Sequence, residues 1–143
     1  MDFIDLSYWG LFIISFLAAT IVPFSSEGVL ATMLLNDFNP TLLLISASIG
    51  NTLGGLSGYV LGYIGNWALI EKYLKTKKEK VLKYESKIQT YGALIAFLTW
   101  LPFIGDILAI ALGFFKVSVP KTILFMTIGK TLRYAVVIYL LKV

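Results

Sequence analysis

The pentapeptide PFSSE at residues 23–27 has a counterpart, PFIGD, at residues 102–106, and both combine a Pro-Phe pair with an acid three residues after the phenylalanine. A second pair of matches, IGNTL at 49–53 and IGKTL at 128–132, has the same offset of 79 residues. Two matches at one offset indicate an internal repeat. Each half therefore contains a proline-broken apolar segment that carries an acid, followed by an uninterrupted apolar helix.

The composition around this repeat is that of a membrane protein. Of the 143 residues, 58% are hydrophobic and 14% are charged, and the mean hydropathy is +0.85, unlike a soluble domain. Four stretches with few charges each reach the roughly 20 apolar residues that cross a bilayer as a helix; they lie at 5–37, 37–71, 89–115 and 122–141. We predict an all-α integral membrane protein with no soluble catalytic domain.

The residue types exclude several functions. The chain has no cysteine and no histidine, so disulfides, thiolate metal sites and the commonest general base are absent. We therefore expect no metal, no cofactor and no enzymatic activity. An intramembrane aspartyl protease is also excluded, because FIGD at 103–106 lacks the G-x-G-D pattern. The N-terminus has neither a basic region nor a small-residue cleavage site, so we expect no cleaved signal peptide.

One membrane domain is predicted over residues 1–143, with repeat 1 at 6–66, a linker at 67–90 and repeat 2 at 91–143. Seven lysines and three glutamates lie in the linker between residues 71 and 87, and the positive-inside rule makes such a loop cytoplasmic. This explains the net charge of +4 better than nucleic-acid binding does, so no nucleic-acid partner is expected. Its apolar residues recur at helical spacing, which predicts an amphipathic helix on the membrane surface. A solvated linker helix is the open alternative.

Pro23 and Pro102 mark the breaks in the two broken segments. Proline removes a backbone donor, and in lipid the freed groups need protein or water partners, so the breaks should face an internal cavity. The segments are then either re-entrant hairpins or kinked spanning helices. Hairpins place Lys116 and Lys121 inside and the lysine-free loop 36–40 outside, as the positive-inside rule requires. We therefore predict an inverted repeat of re-entrant hairpins and transmembrane helices, with a site at the midplane.

Glu27 and Asp106 are candidate site residues, because an acid in hydrocarbon is energetically expensive. Each lies four residues after its proline, at the predicted start of a second half-helix, whose N-terminus suits an anionic head group. Lys130 and Arg133 share one face of the last helix and should point inward. With both acids protonated, the two bases would form a proton-linked anion site. The alternatives are carboxylates that only cap helices, or two ion pairs that hold the halves together.

Further residues are assigned to the site or to packing. Those predicted to break the hairpins and line the cavity are Pro23, Ser26, Asn51, Trp100, Pro102 and Gly105. Glycines at four-residue spacing form a stripe that lets another helix approach closely; they are Gly50, Gly54, Gly58 and Gly62.

Four motifs together resemble the YqaA branch of the DedA superfamily, which includes the eukaryotic VTT-domain proteins: SE at 26–27, GNTLGG at 50–55, WLPFIGD at 100–106 and GKTLRY at 129–134. The resemblance covers nearly the whole chain. It implies paired re-entrant hairpins and lipid flipping or scrambling, and some bacterial members are implicated in undecaprenyl phosphate recycling and proton-dependent envelope homeostasis. It also implies that Glu27 and Asp106 are the hairpin acids and that Arg133 is a required base. Larger members carry arginines in the second hairpin, whereas residues 99–113 here have no base.

We expect a multi-pass protein of the bacterial inner membrane that moves an anionic lipid or another phosphate-bearing substrate, with proton coupling. The expected partners are membrane lipids, with an anionic head group as substrate, and a homo-oligomer is an open alternative. The main rival is a small-cation or drug/proton antiporter in which Glu27 binds the cation; Lys130 and Arg133 argue against it. A third reading is a non-transporting membrane assembly factor.

Reporter fusions test the predicted topology. Fusions in the loop 116–121 should report a cytoplasmic position, and fusions at both termini a periplasmic one, because the lysines then lie inside. Loops 36–40 and 116–121 both lying outside would contradict the inverted hairpins and remove the midplane site.

Overall fold

A computed structural model describes residues 3–19, 26–65, 67, 68, 71, 79, 82–101 and 104–142, and every regular element within these ranges is helical. The fold class predicted from the composition is therefore confirmed as all-α. Two helices are long, and the others are short. The elements are α1 (Phe3–Ala18), α2 (Ser26–Leu35), α3 (Pro40–Ile64), α4 (Glu85–Thr90), α5 (Gly92–Phe97), a 3-10 turn (Leu98–Trp100), α6 (Ile104–Phe114) and α7 (Val119–Lys142).

The long helices and the broken segments differ in length as the repeat predicts. Among the described residues, Val119–Leu141 is long and apolar enough to cross a membrane. α3 has 25 residues, but its five glycines and Asn51 make it less apolar. The two segments predicted to be broken consist of helices of 6 to 16 residues, each shorter than the roughly 20 that a span needs. Pro23 and Pro102 themselves lie outside the described residues, and so do residues 69, 70, 72–78, 80 and 81 of the linker, where the amphipathic helix is predicted.

The first three helices form an antiparallel pair packed along a long helix. Tyr8, near the start of α1, contacts the ring of Phe38, which follows α2, with centroids 5.5 Å apart. The carbonyl of Phe16, near the end of α1, lies against Gly54 in the middle of α3. α1 therefore runs parallel to α3, and α2 returns in the opposite direction. We call α1 and α2 hairpin 1.

The second half repeats this arrangement. Gly92, at the start of α5, lies against the side chain of Val117, which follows α6. The carbonyl of Phe97, at the end of α5, lies against Gly129 in the middle of α7. α5, the 3-10 turn and α6 therefore form hairpin 2, which packs along α7 as hairpin 1 packs along α3.

The corners that join each hairpin to its long helix share one conformation. Asp37 has a φ of 65° and Lys116 has a φ of 54°, and these two left-handed residues are matched by the offset of the sequence repeat. In both corners the next amide donates to the carbonyl five residues back, at 3.2 Å and 3.0 Å. This is the Schellman arrangement, which satisfies carbonyls at a helix end. The similarity of the two halves thus extends from sequence motifs to backbone conformation.

The two long helices are antiparallel, and the corners lie at opposite ends of α3. Lys116, just before α7, lies 5.3 Å from the ring centre of Tyr63, near the end of α3. Tyr134, further along α7, packs in the same buried cluster as Ala47, nearer the start of α3. The corner between α2 and α3 lies at the start of α3. The hairpins therefore approach the middle of the fold from opposite directions.

The glycine stripe of α3 contacts two helices rather than one. A Cβ on Gly50 or Gly54 would overlap carbonyls of α1, and one on Gly62 would overlap the backbone of α6. A Cβ on Gly58 would lie 3.5 Å from Ala109, an ordinary contact. A step of four residues advances about 40° beyond a full turn, so the stripe rotates around α3 from α1 to α6.

Alanine substitutions in the stripe should therefore differ in their effect. Gly54→Ala forces a methyl group into the backbone of α1, and overpacking of this kind costs about 1–3 kcal/mol. Gly58→Ala has room and gains roughly 0.5–1 kcal/mol of helix preference, so it should be neutral or stabilising. Thermal unfolding of both variants in detergent measures the difference. Equal stability of the two would show that α1 does not pack on Gly54.

Candidate functional site

Both candidate acids lie in the first turn of the returning helix of their hairpin. Glu27 is the second residue of α2, and Asp106 is the third residue of α6. The spacing from the prolines predicts these positions. Since α2 and α6 begin at the inner ends of the hairpins, the acids lie close to the middle of the fold. Gly105 lets the inner end of hairpin 2 close, because a Cβ there would overlap the carbonyl of Thr99.

Arg133 of α7 joins the inner ends of both hairpins. Its Nη2 forms an ion pair with Oε1 of Glu27, in hairpin 1. Its Nη1 donates to the carbonyl of Trp100, in hairpin 2, at 3.0 Å. The side chains of Arg133 and Glu27 are 21% and 31% exposed. A planar guanidinium with five donors can bind two partners at once, which a single ammonium does less well.

A second polar contact lies next to this ion pair. Ser26 Oγ and Tyr134 Oη are 2.7 Å apart, and both side chains are fully buried. Two consecutive residues of α2 are therefore paired with two consecutive residues of α7, and we call this set the α2–α7 polar contact. Ser26 was predicted to line the cavity. Tyr134 was not singled out, although it directly follows Arg133 in the GKTLRY motif.

Lys130 is held by an amide rather than by a carboxylate. It is 3% exposed, and its Nζ donates to Asn51 Oδ1 at 2.6 Å. Asn51 Nδ2 in turn donates to the carbonyl of Ser15 at 2.9 Å. Asn51 and Lys130 are the residues at which the matched motifs IGNTL and IGKTL differ. The amide of one half of the repeat therefore binds the cation of the other half. Lys130 also interacts electrostatically with Asp106, without an ion pair within 4 Å between these two described side chains.

The two predicted bases thus have different kinds of partner: Arg133 binds a carboxylate, and Lys130 binds an amide. Of the two ion pairs considered from the sequence, Glu27 with Arg133 is present, whereas Lys130 has Asn51 as its hydrogen-bond partner. Trp100 contributes its carbonyl. In the part of the chain that the structure describes, no three Asp or Glu side chains come together as a metal ion requires. Chemically, the arrangement is an ion pair of Arg133 and Glu27 with a second, amide-bound cation, Lys130, one helical turn away.

Asn51 is the residue whose replacement tests this arrangement most directly. Asn51→Leu keeps the volume but leaves the Lys130 ammonium and the Ser15 carbonyl without their partner, and an orphaned buried group costs about 1–3 kcal/mol, more when it is charged. Asn51→Asp restores an acceptor and should recover most of the stability. Asn36→Leu is the matched control, because it removes an exposed amide whose Nδ2 donates to the carbonyl of Thr32 at 2.7 Å; water can replace this hydrogen bond, so the cost should be about 0.5–1.5 kcal/mol and below that of Asn51→Leu. Thermal unfolding in detergent distinguishes them; a stable Asn51→Leu protein would mean that Lys130 does not depend on the amide.

Comparison with known proteins identifies related chains. The family profile described as the VTT domain matches residues 22–143. The inner membrane protein YqaA of Escherichia coli is 37% identical over 133 residues, which cover 92% of this chain and 89% of that protein, and the protein of the same name from Shigella flexneri gives the same values. An uncharacterized protein of Haemophilus influenzae is 32% identical over 138 residues, covering 91% of this chain and 84% of its own length. No solved structure gives a significant match.

Proposed function

This chain belongs to the VTT-domain (DedA) family of membrane proteins, and on that premise we propose that it moves an anionic lipid or another phosphate-bearing substrate across the bacterial inner membrane. The name of its Escherichia coli relative supports this location. The observation that carries the proposal is the position of Arg133, whose guanidinium binds the inner ends of both hairpins. The activity is transport rather than catalysis.

The chemistry of the bases favours an anionic substrate. A guanidinium stays charged at all physiological pH values, and its planar fork matches the oxygens of a phosphate. Lys130 lies one helical turn away and adds a second positive charge. With Glu27 and Asp106 ionised, the four groups sum to zero. With both acids protonated they sum to +2, which complements a phosphate group.

Glu27 is the proposed site of proton coupling. Its carboxylate faces Arg133 on α7, and the residues beside this pair are Ser26 and Tyr134. Protonation removes the negative charge of Glu27, so the N–H donors of Arg133 that bind this carboxylate can then bind a phosphate oxygen instead. Proton uptake and anion binding are thereby linked, since each favours the other. Asp106 and Lys130 form the corresponding, more weakly coupled set.

We further propose that the hairpins are re-entrant and that the halves are an inverted repeat in a multi-pass protein. Three observations support this proposal. The corners lie at opposite ends of α3, and the two long helices are antiparallel. In addition, Asn51 and Lys130, which occupy matched positions of the two halves, form a hydrogen bond. Matched positions touch when they lie near a two-fold axis. In transporters of this plan, the substrate binds at the midplane where the halves meet.

Two rival functions are a cation/proton antiporter and a membrane assembly factor. In a cation/proton antiporter an acid must be free to bind the cation, whereas Glu27 is paired with Arg133, and the nearby positive charge of Lys130 disfavours a cation at Asp106. In a membrane assembly factor, the Glu27–Arg133 pair would serve only to hold α2 on α7. A decisive experiment must therefore separate pairing for stability from pairing for transport.

The double-mutant cycle of Glu27 and Arg133 makes that separation when it is measured by transport as well as by stability. Glu27→Gln mimics the protonated acid, so the protein should fold, bind the anion and lose the dependence of transport on pH. Arg133→Ala should abolish binding. Transport is measured in liposomes at two pH values with labelled phospholipid and with a polyprenyl phosphate. Asp37→Asn, an exposed acid in the first corner, and Lys121→Ala, an exposed base, are the matched controls and should change neither readout.

A purely structural pair predicts the opposite pattern. Removing one partner then leaves an uncompensated charge, which costs about 3–5 kcal/mol for a buried pair and less here because both side chains are partly exposed. The double mutant should then regain stability. Recovered stability with normal transport in the double mutant would refute the transport site. Cation efflux coupled to protons, without lipid movement, would favour the antiporter.

A further inference from the structure

We infer that the two returning helices have different roles, and that α2 of hairpin 1 moves to open the site, whereas α6 stays fixed on α3 and α1 keeps its packing against Gly50 and Gly54. This inference rests on the proposed transport function and specifies how access to its site is controlled. It follows from a difference between halves that are otherwise matched by the 79-residue offset. The difference lies in how closely each returning helix packs on the long helix of the other half.

Hairpin 2 is packed on α3 through its backbone. A Cβ on Gly62 of α3 would overlap the carbonyl of Ile110 in α6, and a Cβ on Gly113 of α6 would overlap the carbonyl of Tyr59 in α3. Small residues on both sides thus let the two backbones touch, which is how helices associate strongly in lipid. Tyr59 also donates its hydroxyl to the carbonyl of Val117 at 2.6 Å, beyond the end of α6. α6 and α3 therefore form one unit.

The matched contact of hairpin 1 is made by bulky side chains. The positions that correspond to Gly58, Gly62 and Gly113 are Val137, Leu141 and Leu34. Leu34 is buried and Val137 packs against the same apolar cluster, so branched side chains occupy the positions at which α6 and α3 have glycines. Leu141 is 41% exposed. Lipid tails are as apolar as these side chains and can replace them, so separating α2 from α7 is easier than separating α6 from α3.

The face of α2 that points away from α7 is open. A shallow recess of about 510 Å³ lies against this face, and its described lining residues all belong to α2: Gly28, Val29, Thr32 and Met33. Thr32 is exposed, whereas Ala111, at the matched position of α6, is 7% exposed. At this matched position, α6 is buried against the rest of the protein, whereas α2 is exposed.

The α2–α7 polar contact holds α2 against α7 at the inner end of hairpin 1. Its two interactions are Ser26 with Tyr134 and Glu27 with Arg133. Because Arg133 is also the proposed anion ligand, a phosphate that takes the place of Glu27 breaks one of the two interactions that hold α2. Binding of the substrate and release of α2 from α7 are then one event.

Cysteine cross-links test this directly, since the chain has no native cysteine. In the fixed unit, a Cβ on Gly58 lies 3.5 Å from Cβ of Ala109, within the roughly 3.5–4.5 Å of a disulfide, so Gly58→Cys with Ala109→Cys should cross-link. The matched pair in the moving unit is Val137→Cys with Leu30→Cys, whose native side chains share one apolar cluster. Oxidation should abolish lipid transport in the Leu30/Val137 protein, reversibly with reductant, and leave it intact in the Gly58/Ala109 protein. Transport that survives the Leu30/Val137 cross-link, or that is lost in the Gly58/Ala109 protein on oxidation, would overturn the inference.

A distance measurement tests the movement without any transport assay. Spin labels on Thr32 and Tyr139 report α2 against α7, and labels on Ile107 and Val60 report α6 against α3; all four positions are exposed. Glu27→Gln and Tyr134→Phe each weaken the α2–α7 polar contact, so both should lengthen or broaden the first distance and leave the second unchanged. Two unchanged distances in a protein that transports lipid would refute the movement of α2 and spare the proposed function. A shifted first distance in a protein that transports nothing would support the mobility of α2 and remove the proposed function.

Discussion

A charge within the apolar part of a membrane protein must find its partners in the protein, because lipid offers none. Arg133 meets this requirement by binding the Glu27 carboxylate and the Trp100 carbonyl, which lie at the inner ends of different hairpins. One side chain of α7 thereby ties together segments that are far apart in the chain. The position of each hairpin relative to the long helices depends on this contact, and so does the local balance of charge.

The second constraint is the distance of approach between helices. Glycines in α3 and α6 bring backbones into contact, and hydrogen bonds such as that of Tyr59 to Val117 then close the interface. Where leucine and valine occupy the matched positions, in α2 and α7, the interface is made by side chains. A repeat can therefore preserve the fold of its halves while its interfaces differ in how closely the backbones approach. The proposed movement of α2 depends on this difference.

The central polar groups also show how a repeat can be adapted for function. Matched positions carry Asn51 in one half and Lys130 in the other, and the two side chains hydrogen-bond to each other. An amide accepts from the ammonium without cancelling its charge. The middle of the fold thus keeps a positive charge that a second carboxylate at this position would have neutralised. This difference between the halves is consistent with a site for an anionic head group.

The sequence by itself determined the all-α membrane class, the two halves at an offset of 79 residues and the position of each acid at the start of a returning helix. These features depend on hydropathy, proline chemistry and spacing, which are local properties of the chain. Only the tertiary structure decided that Arg133 pairs with Glu27, that Lys130 binds Asn51, that Ser26 meets Tyr134 and that the glycine stripe serves two helices. Spacing shows that Lys130 and Arg133 share a face of α7, but the partner of each depends on how α7 is rotated about its axis and how it crosses α3. That rotation is set by the packing of all the helices together, so no single stretch of sequence contains it.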